Sequence, residues 1–561
     1  MEDDVFRVSR MAERFDLEAE EANSPRPGGK EPPRVETADG CSFWQQTAPA
    51  DGYPAVTSDA ETEFLIIGGG ITGVSCAYSL ALRGKNPVLI EAGALCGGTT
   101  GKTTGKATAQ HGLLYARLIR EYGRDAARLY AKAQLEGLDS IRRAVQTEQI
   151  ACSFTDCTSY VYAANPADEA PVREEYEAAR GLGLDAVLDE ERFPSGSLLR
   201  FGLRGQAVLH PVLYVQGLAA AARRAGARIF CGTKAVRVEE GEPVCVFCEN
   251  GAVLRAKRVI QATQYPIYDG AGGFYFARLY PRREYGIAAQ TQRNFPDGAF
   301  LSAGEPARSL RAYAENGRRV LIAVGDGYPT GHKDDLRAPH FEHLEEFARQ
   351  EAGAERTLSR WAAQDYGTPD GLPYIGRLSA KSDLLLAAGF DRWGITNGAF
   401  AGLLLSDLLT MGGSRYEELF SPARGGIAAA PGRFAAGALG AVGELFKSKF
   451  ETAEEMRGIR TGEGRVVRFR GRRAGLYVDE EGTAFVVDIA CTHMGTQLRF
   501  NPAERTWDCP AHGGRFRPDG ELLEGPPKDS LPLLYKGPLD ALAKAGEQAG
   551  AREETSGKTG K

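Results

Sequence analysis

The 561-residue chain has no run near the ~18 apolar residues that a membrane span needs. Its first 21 residues are rich in acids and lack the apolar core of a secretory signal. Basic charge is not in excess either: 68 Lys and Arg against 74 Asp and Glu leave a net charge of −6, which removes the electrostatic reason to expect nucleic acid as a partner. The ten cysteines are scattered and do not form a disulfide framework, so a reducing cytoplasm is the expected location. Histidine is scarce, and His111, His210, His332, His340 and His343 do not group as a mononuclear iron centre on two histidines and a carboxylate would require. A nucleotide-triphosphate loop is missing too, because Lys102 and Lys106 sit in a glycine-rich run without clean G-x-x-x-x-G-K-[ST] spacing. What remains is 43% apolar and 25% charged, ordinary for a globular protein with room for three or four domains.

The organising stretch is Phe64-Leu-Ile-Ile-Gly68-Gly-Gly70-Ile-Thr-Gly73, four apolar residues running into glycines and then into an apolar segment. It predicts a strand, a tight turn and a helix N-terminus, with Gly68, Gly70 and Gly73 in G-x-G-x-x-G spacing. Unpaired N–H groups on Gly70, Ile71 and Thr72 and the helix dipole then favour a diphosphate. A second predicted strand ends in Glu91, 18 residues after Gly73, where such a fold hydrogen-bonds a ribose hydroxyl. The glycine- and threonine-rich run 97–112 follows, and we assign Thr99, Thr100, Thr103, Thr104 and Gly105 to the same cofactor as a loop passing beneath the diphosphate. Predicted strands at 227–231, 235–239, 244–249 and 253–262 end in a small-residue turn at Ala262 and Thr263. The C-x-x-C of Cys245 and Cys248 falls on one of these strands, where residues three apart face opposite ways, so it is read as structural. A further strand set (283–289, 298–304, 309–315, 319–326) suits a substrate-covering sheet. The chain then returns to a glycine-bounded helix start, and Gly394, Ile395, Thr396 and Asn397 are placed where its dipole would stabilise the N1–C2=O edge of a reduced flavin.

Together these residues resemble the flavin-dependent oxidoreductases of the D-amino-acid oxidase and glycine oxidase type over residues 64–409. The resemblance implies FAD, bound by a Rossmann-type α/β domain interleaved with an α+β substrate domain, and a small-molecule amine or amino-acid substrate that loses hydride to the flavin. It also implies that Val236 contacts the adenine through its backbone. No residue marks a carboxylate clamp uniquely. Arg283 and Arg311, on substrate-domain strands, are candidates, although strand arginines more often form a solvated face; His111 and Tyr366 are candidates to line the flavin site.

Beyond residue 457 the sequence carries Cys491-Thr-His493 and Cys509-Pro-Ala-His512, each loop with one cysteine and one histidine. Two cysteines and two histidines also suit tetrahedral zinc, but zinc fingers pair cysteine with cysteine. The mixed loops, their glycines and Gly525-Pro-Pro527 resemble a Rieske [2Fe–2S] domain of all-β fold. That resemblance assigns Cys491 and Cys509 to one iron, and His493 and His512 to the other. Thr496 and Ala511 stand where respiratory Rieske proteins carry an extra disulfide, and Gly514 and Phe516 replace hydroxyls that bond the cluster there. Fewer hydrogen bonds to sulfur predict a potential toward the low end of the Rieske range of about −150 to +300 mV.

The resulting expectation is an acidic disordered extension (1–39), an oxidoreductase (40–412), a linker with one helix (413–456), a Rieske domain (457–537) and a tail (538–561). Within the oxidoreductase, FAD-binding segments (61–120, 200–265, 362–412) alternate with substrate segments (150–199, 266–361). The expected activity is amine or amino-acid dehydrogenation, with the cluster relaying single electrons to or from an unidentified one-electron carrier protein. An NAD(P)H-fed reductase and a redox-sensing interaction protein are the alternatives.

Overall fold

The apolar run before Gly68 forms the strand Ala60–Ile67, buried from Phe64 onward as expected of a central parallel strand covered on both faces. It pairs in parallel with Val88–Ile90 on one side and Val253–Gln264 on the other. The eight-stranded sheet built on it runs Tyr374–Arg377, Leu384–Ala388, Val253–Gln264, Ala60–Ile67, Val88–Ile90, Arg228–Phe230, with the hairpin Ala235–Glu239 and Val244–Cys248 attached beside Val253–Gln264. In that hairpin Cys248 is buried and Cys245 half-buried, on opposite faces, and all ten cysteines are free thiols.

This computed structural model describes residues 40–191, 197–268, 275–293, 296–315, 318–332, 336, 339–424, 456 and 458–542. The expected extension 1–39, the linker helix and most of the tail lie outside the described residues. Among the described residues no helix is long and apolar enough to cross a membrane.

Two helices on the sheet decide where the functional cavity lies. Ile71–Leu82 and Gly394–Thr410 pack closely because two glycines one turn apart make room. A Cβ at Gly398 would sit 2.8 Å from Ile71 Cγ2, and one at Gly402 would sit 2.6 Å from Ser75 Cβ. A third helix, Tyr115–Thr147, crosses Gly394–Thr410 at Gly137, whose Cβ would meet the Thr396 carbonyl at 2.5 Å. This helix kinks at Gly123, where the backbone turns left-handed (φ 84°).

The second sheet is nine-stranded and mostly antiparallel: Ala354–Gly367, Tyr280–Thr291, Arg318–Pro329, Arg308–Glu315, Ala299–Ser302, Thr155–Ala163, Leu199–Val208 and Lys106–Ala107, with Ala186–Asp189 on Leu199–Val208. The C-terminal unit consists of two four-stranded antiparallel sheets, Gly464–Phe469 to Leu533–Pro538 and Arg499–Asn501 to Leu522–Glu524. Its loop 509–514 rests on the edge strand Ala354–Gly367 and on Pro281: a Cβ at Gly513 would meet Pro281 Cβ at 2.6 Å, and one at Gly331 would meet Pro510 N at 2.8 Å.

Candidate functional site

A cavity of about 380 Å³ opens between the parallel sheet and the antiparallel sheet. Both helix N-termini face it. Gly70 caps Ile71–Leu82 and Trp393 caps Gly394–Thr410, neither with a side-chain hydrogen bond of its own, and of the donors expected to be unpaired Ile71 N is taken within the protein. The first turn tolerates no side chain at two of its glycines: a Cβ at Gly68 would lie 2.4 Å from the Ala262 carbonyl, and one at Gly73 would lie 1.9 Å from the Gly68 carbonyl. Glu91 reaches back to the turn, where its carboxylate accepts from Gly69 N (2.6 Å) and Gly93 N (2.9 Å). Thr100 Oγ1 accepts from Ile71 N at 3.1 Å. An anion-receptive turn, an acid after the second strand and a second helix start on one cavity are the donor set a flavin dinucleotide requires.

The threonine-rich loop is held by a short element to which the sequence alone assigns no role. Helix Phe43–Thr47 places Trp44 in full burial, donating Nε1–H to the Thr103 carbonyl at 2.7 Å, while Gln45 Nε2 donates to Cys96 O (3.0 Å) and Gly97 O (3.2 Å). The loop therefore follows a fixed path along the cavity wall.

The antiparallel-sheet side of the cavity carries charge that the sequence did not mark. Lys106, Glu284, Ser309, Asp365, Arg392 and Trp393 all line it. Lys106 Nζ lies 2.7 Å from Ser309 Oγ and 5.8 Å from the Trp393 ring centroid, and burial pulls its ammonium down to about 8. Glu284 faces Arg392 at 3.4 Å; its burial raises the carboxyl against that arginine's opposing pull. Asp365 is pushed up by burial to about 6 while accepting from Arg392 N (2.6 Å) and Tyr366 N (2.8 Å). Cys96, Gln264 and Arg392, three cavity residues, hold positive φ (60°, 65°, 76°), the kind of local strain that concentrates at functional sites.

Of the residues singled out from sequence, Gly68, Gly70, Ile71, Thr72, Glu91, Thr99, Thr100, Thr103, Thr104, Ala262, Thr263, Gly394 and Ile395 line this one cavity. Gly73 and Gly105 stand behind it, in tight backbone contact with Gly68 and Leu209. Val236 is half-buried outside the lining, and its neighbours Thr233 and Ala235 occupy the wall instead. Thr396 and Asn397 turn away: Thr396 Oγ1 donates to Thr108 O (3.0 Å), and Asn397 Oδ1 accepts from Gln134 (2.7 Å). His111 lies one layer back, stacked on Trp393 at 4.7 Å, with Nδ1 2.7 Å from Tyr130 OH; burial drives it down to about 3 and keeps it neutral.

The two arginine candidates are not at the cavity. Arg311 is buried over Trp44 (4.9 Å) and donates to the carbonyls of Leu209 (3.0 Å) and Gly105 (3.4 Å), so it braces the threonine loop. Arg283 points away from the cavity and pairs with Glu504 and Glu524 of the C-terminal unit. Along a strand successive side chains alternate, and here Glu284 takes the cavity face while Arg283 takes the seam. Tyr366 also faces the seam, its OH donating to His512 O (3.3 Å) and Gly525 O (3.2 Å).

In the C-terminal unit the two Cys/His loops share one backbone design. Cys491 N donates to Thr496 O and Cys509 N to Gly514 O, both at 2.8 Å; Gly495 N donates to Cys491 O (2.8 Å) and Gly513 N to Cys509 O (3.0 Å). Gly495 and Gly513 take the same left-handed turn (φ 72° and 74°). The paired loops bring Cys491 and Cys509 next to each other and the rings of His493 and His512 to 5.0 Å. Hydrogen bonding to Cys509, together with burial, raises the Cys491 thiol; its partner Cys509 is lowered by Cys491 and by backbone N–H groups of His512, Ala511 and Gly514. Sulfurs cradled by N–H groups and two imidazoles side by side fit a [2Fe–2S] cluster held by one cysteine pair and one histidine pair. Gly514 packs beneath Pro527, where its Cβ would meet Cγ at 2.5 Å. His512 is buried and His493 half-buried beside exposed Met494.

Two family models match the chain, one for each unit. The family model for FAD dependent oxidoreductases matches residues 63–408, and that for the Rieske [2Fe-2S] domain matches residues 450–535. The Bacillus subtilis protein YhfW, named as a Rieske 2Fe-2S iron-sulfur protein, is 36% identical over 86% of this chain and 96% of its own. Glycine oxidase of the same organism is 24% identical over 62% of this chain and 92% of its own. Among solved structures, L-proline dehydrogenase from P. horikoshii superimposes with a TM-score of 0.54 at 17% identity, covering 65% of this chain and 98% of that one, a likeness of fold.

Proposed function

The chain belongs to the FAD-dependent oxidoreductase family and joins to it a Rieske [2Fe–2S] domain, and from this we propose that it dehydrogenates a small amine or amino acid and passes the electrons on singly. FAD supplies the hydride acceptor and the cluster supplies a one-electron centre. The observation that carries the substrate class is the charged set on the sheet side of the cavity. Lys106, half-buried and hydrogen-bonded to Ser309, offers a cation to a carboxylate, and Glu284 offers an acceptor to an amine. Trp393 and Leu301 add apolar wall to the same cavity, and a low-dielectric lining strengthens both interactions. Oxidation of such a substrate needs its amine neutral and its C–H bond aimed at the acceptor, which is a task of positioning.

A cluster on the same chain is unnecessary for an oxidase, because dioxygen reoxidises a flavin directly. Its presence favours a dehydrogenase whose electrons leave through a carrier protein. The test is anaerobic: candidate amines and amino acids are added singly to the fully loaded protein while the flavin and cluster absorbance bands are followed. Bleaching of the flavin by one substrate class, followed by cluster reduction, is the expected result. Reduction by NAD(P)H or dithionite alone would overturn amine oxidation and favour a reductase.

A further inference from the structure

The wall between the cavity and the cluster loops is a single strand. In Ala354–Gly367, Ala363 and Asp365 line the cavity, while Gln364 and Tyr366, alternating with them, face the C-terminal unit, as strand geometry requires. On the cavity side, Thr99 Oγ1 donates to the Gln364 carbonyl at 2.9 Å, and Gln264 Nε2 donates to the same oxygen at 2.5 Å; both residues line the cavity. On the far side, Gln364 Nε2 donates to Gly513 O at 2.9 Å and lies 3.1 Å from Tyr366 OH, which donates to the carbonyls of His512 and Gly525. Thr330 Oγ1 donates to Gln364 Oε1 at 2.9 Å and fixes its amide. All of these side chains are buried or half-buried. Covalent and hydrogen-bonded links therefore run without a break from the cavity wall to the backbone of a cluster ligand.

We propose that Gln364 and Tyr366 form the bridge by which flavin and cluster exchange electrons, with His512 as the inner port. The inference rests on the relay reading above and specifies its route. One electron leaves a two-electron-reduced flavin and converts the oxidised cluster from two ferric ions to one ferric and one ferrous. The cluster gives that electron to an external one-electron carrier protein before the second follows, and the flavin releases its proton to solvent as it returns to the oxidised form. Electronic coupling falls more steeply across a van der Waals gap than along bonded links, so the contacts of two side chains set the rate. Their positions also need the docked seam, which the Gln364–Gly513 bond and the close fit of Gly513 on Pro281 provide.

The test uses the full chain with both cofactors under anaerobic conditions, with the flavin reduced by light and EDTA so that no substrate is needed. A flash initiates the reaction, and flavin absorbance and the cluster EPR signal are followed in time. In the native protein the cluster signal should rise as reduced flavin decays, in a phase independent of protein concentration. Gln364→Ala and Tyr366→Phe should slow that phase several-fold with both midpoint potentials unchanged. Tyr328→Phe removes a hydroxyl from the same seam, 3.3 Å from Asn501 Nδ2 and away from the bridge, and should leave the rate unchanged. Unchanged rates in both bridge variants, or equal slowing in Tyr328→Phe, would overturn the bridge and leave the relay standing. Absence of any intramolecular phase in the native protein would overturn the relay itself.

Discussion

Arg283 and Glu504 face each other across the seam between the flavoprotein sheet and the iron–sulfur unit as a two-pronged pair, Nε to Oε2 at 2.7 Å and Nη2 to Oε1. Arg283 is fully buried, and the pair is one corner of a network that also holds Glu524, Arg515 and Asp508. Two arginines share three carboxylates, and Lys102 from the cavity wall lies close enough to feel Glu524 and Glu504. Burial would otherwise disfavour every one of these charges; mutual attraction holds Glu504 down to about 2, the Arg283 contribution being the largest that opposes its burial. The docking of one unit on the other is thus an electrostatic lock with planar geometry.

Arg283→Met leaves Glu504 and Glu524 with Arg515 as their remaining arginine in a largely buried seam. Breaking a buried pair from one side typically costs about 3–5 kcal/mol, and the chemical unfolding midpoint should fall accordingly. Arg283→Lys should recover only a part, since an ammonium cannot reproduce a two-pronged contact. A midpoint unchanged in Arg283→Met would mean that the seam is not held by this network.

How much of this was legible in the sequence depended on where the signal lay. The glycine turn, Glu91, the threonine loop and the paired Cys/His loops are local patterns, set by backbone geometry or ligand chemistry, and they point to the same two families that match the chain. The charged side of the cavity was not legible, because Lys106, Glu284 and Arg392 come from three distant segments that only the folded chain brings together. Lys106 did leave a trace, a lysine at the end of a glycine and threonine run. Arg283 misled because a strand arginine has two faces to choose between, and the face is set by a domain 221 residues away in sequence. Trp44, with Phe43 and Tyr53, marks 41–57 as an ordered segment that packs on the rest of the chain, but nothing local to it names the loop that it holds.

Lys106 makes a pH prediction. Its ammonium, lowered to about 8 by burial, is charged below that pH and neutral above it. Binding of a small carboxylate such as benzoate to the flavin-loaded protein should be steady toward pH 7 and weaken above about 8, approaching tenfold per pH unit by proton linkage. Flavin difference spectra read the affinity directly. Lys106→Met should bind weakly and without that dependence; a flat profile in the native protein would assign the anion to another residue.

His111 makes another, of stability. Its folded value is depressed to about 3, below the unfolded value near 6.5, so its stabilising contribution is complete above about 6.5 and declines as pH falls toward 3. The slope approaches about 1.4 kcal/mol per pH unit for one proton. Comparing unfolding of the native protein with His111→Gln isolates this contribution from the other titrating groups. The native advantage should shrink steadily between pH 6.5 and about 4; a constant difference would mean that His111 is not held neutral.

Gly73→Ala should separate cofactor binding from folding. The new methyl would fall 1.9 Å from the Gly68 carbonyl, so the helix must move off the turn that cradles the diphosphate. Overpacking of this kind costs about 1–3 kcal/mol, and FAD affinity should drop by the matching factor, roughly five- to 150-fold. The protein should be isolated with little flavin and regain absorbance only at high added FAD. Full occupancy after dialysis would show that the turn can relax without cost to the cofactor.

The cluster potential gives the last prediction. Phe516 is fully buried beside the cysteine loops, and Gly514 is pinned beneath Pro527, so neither position presents a hydroxyl to sulfur. The two replacements that would restore hydroxyls differ physically. A serine at 514 must place its Cβ 2.5 Å from Pro527 Cγ and would displace the proline loop, so Gly514→Ser should lose cluster occupancy. A tyrosine at 516 keeps the ring and adds one donor. If that donor favours the reduced cluster by about 1.4 kcal/mol, the midpoint rises by roughly 59 mV for one electron. EPR-monitored redox titration of Phe516→Tyr should therefore read higher than the native protein, which itself should lie low in the Rieske range. An equal or lower potential with a full cluster signal would show that solvent exposure at His493, rather than the missing hydroxyl, sets the native value.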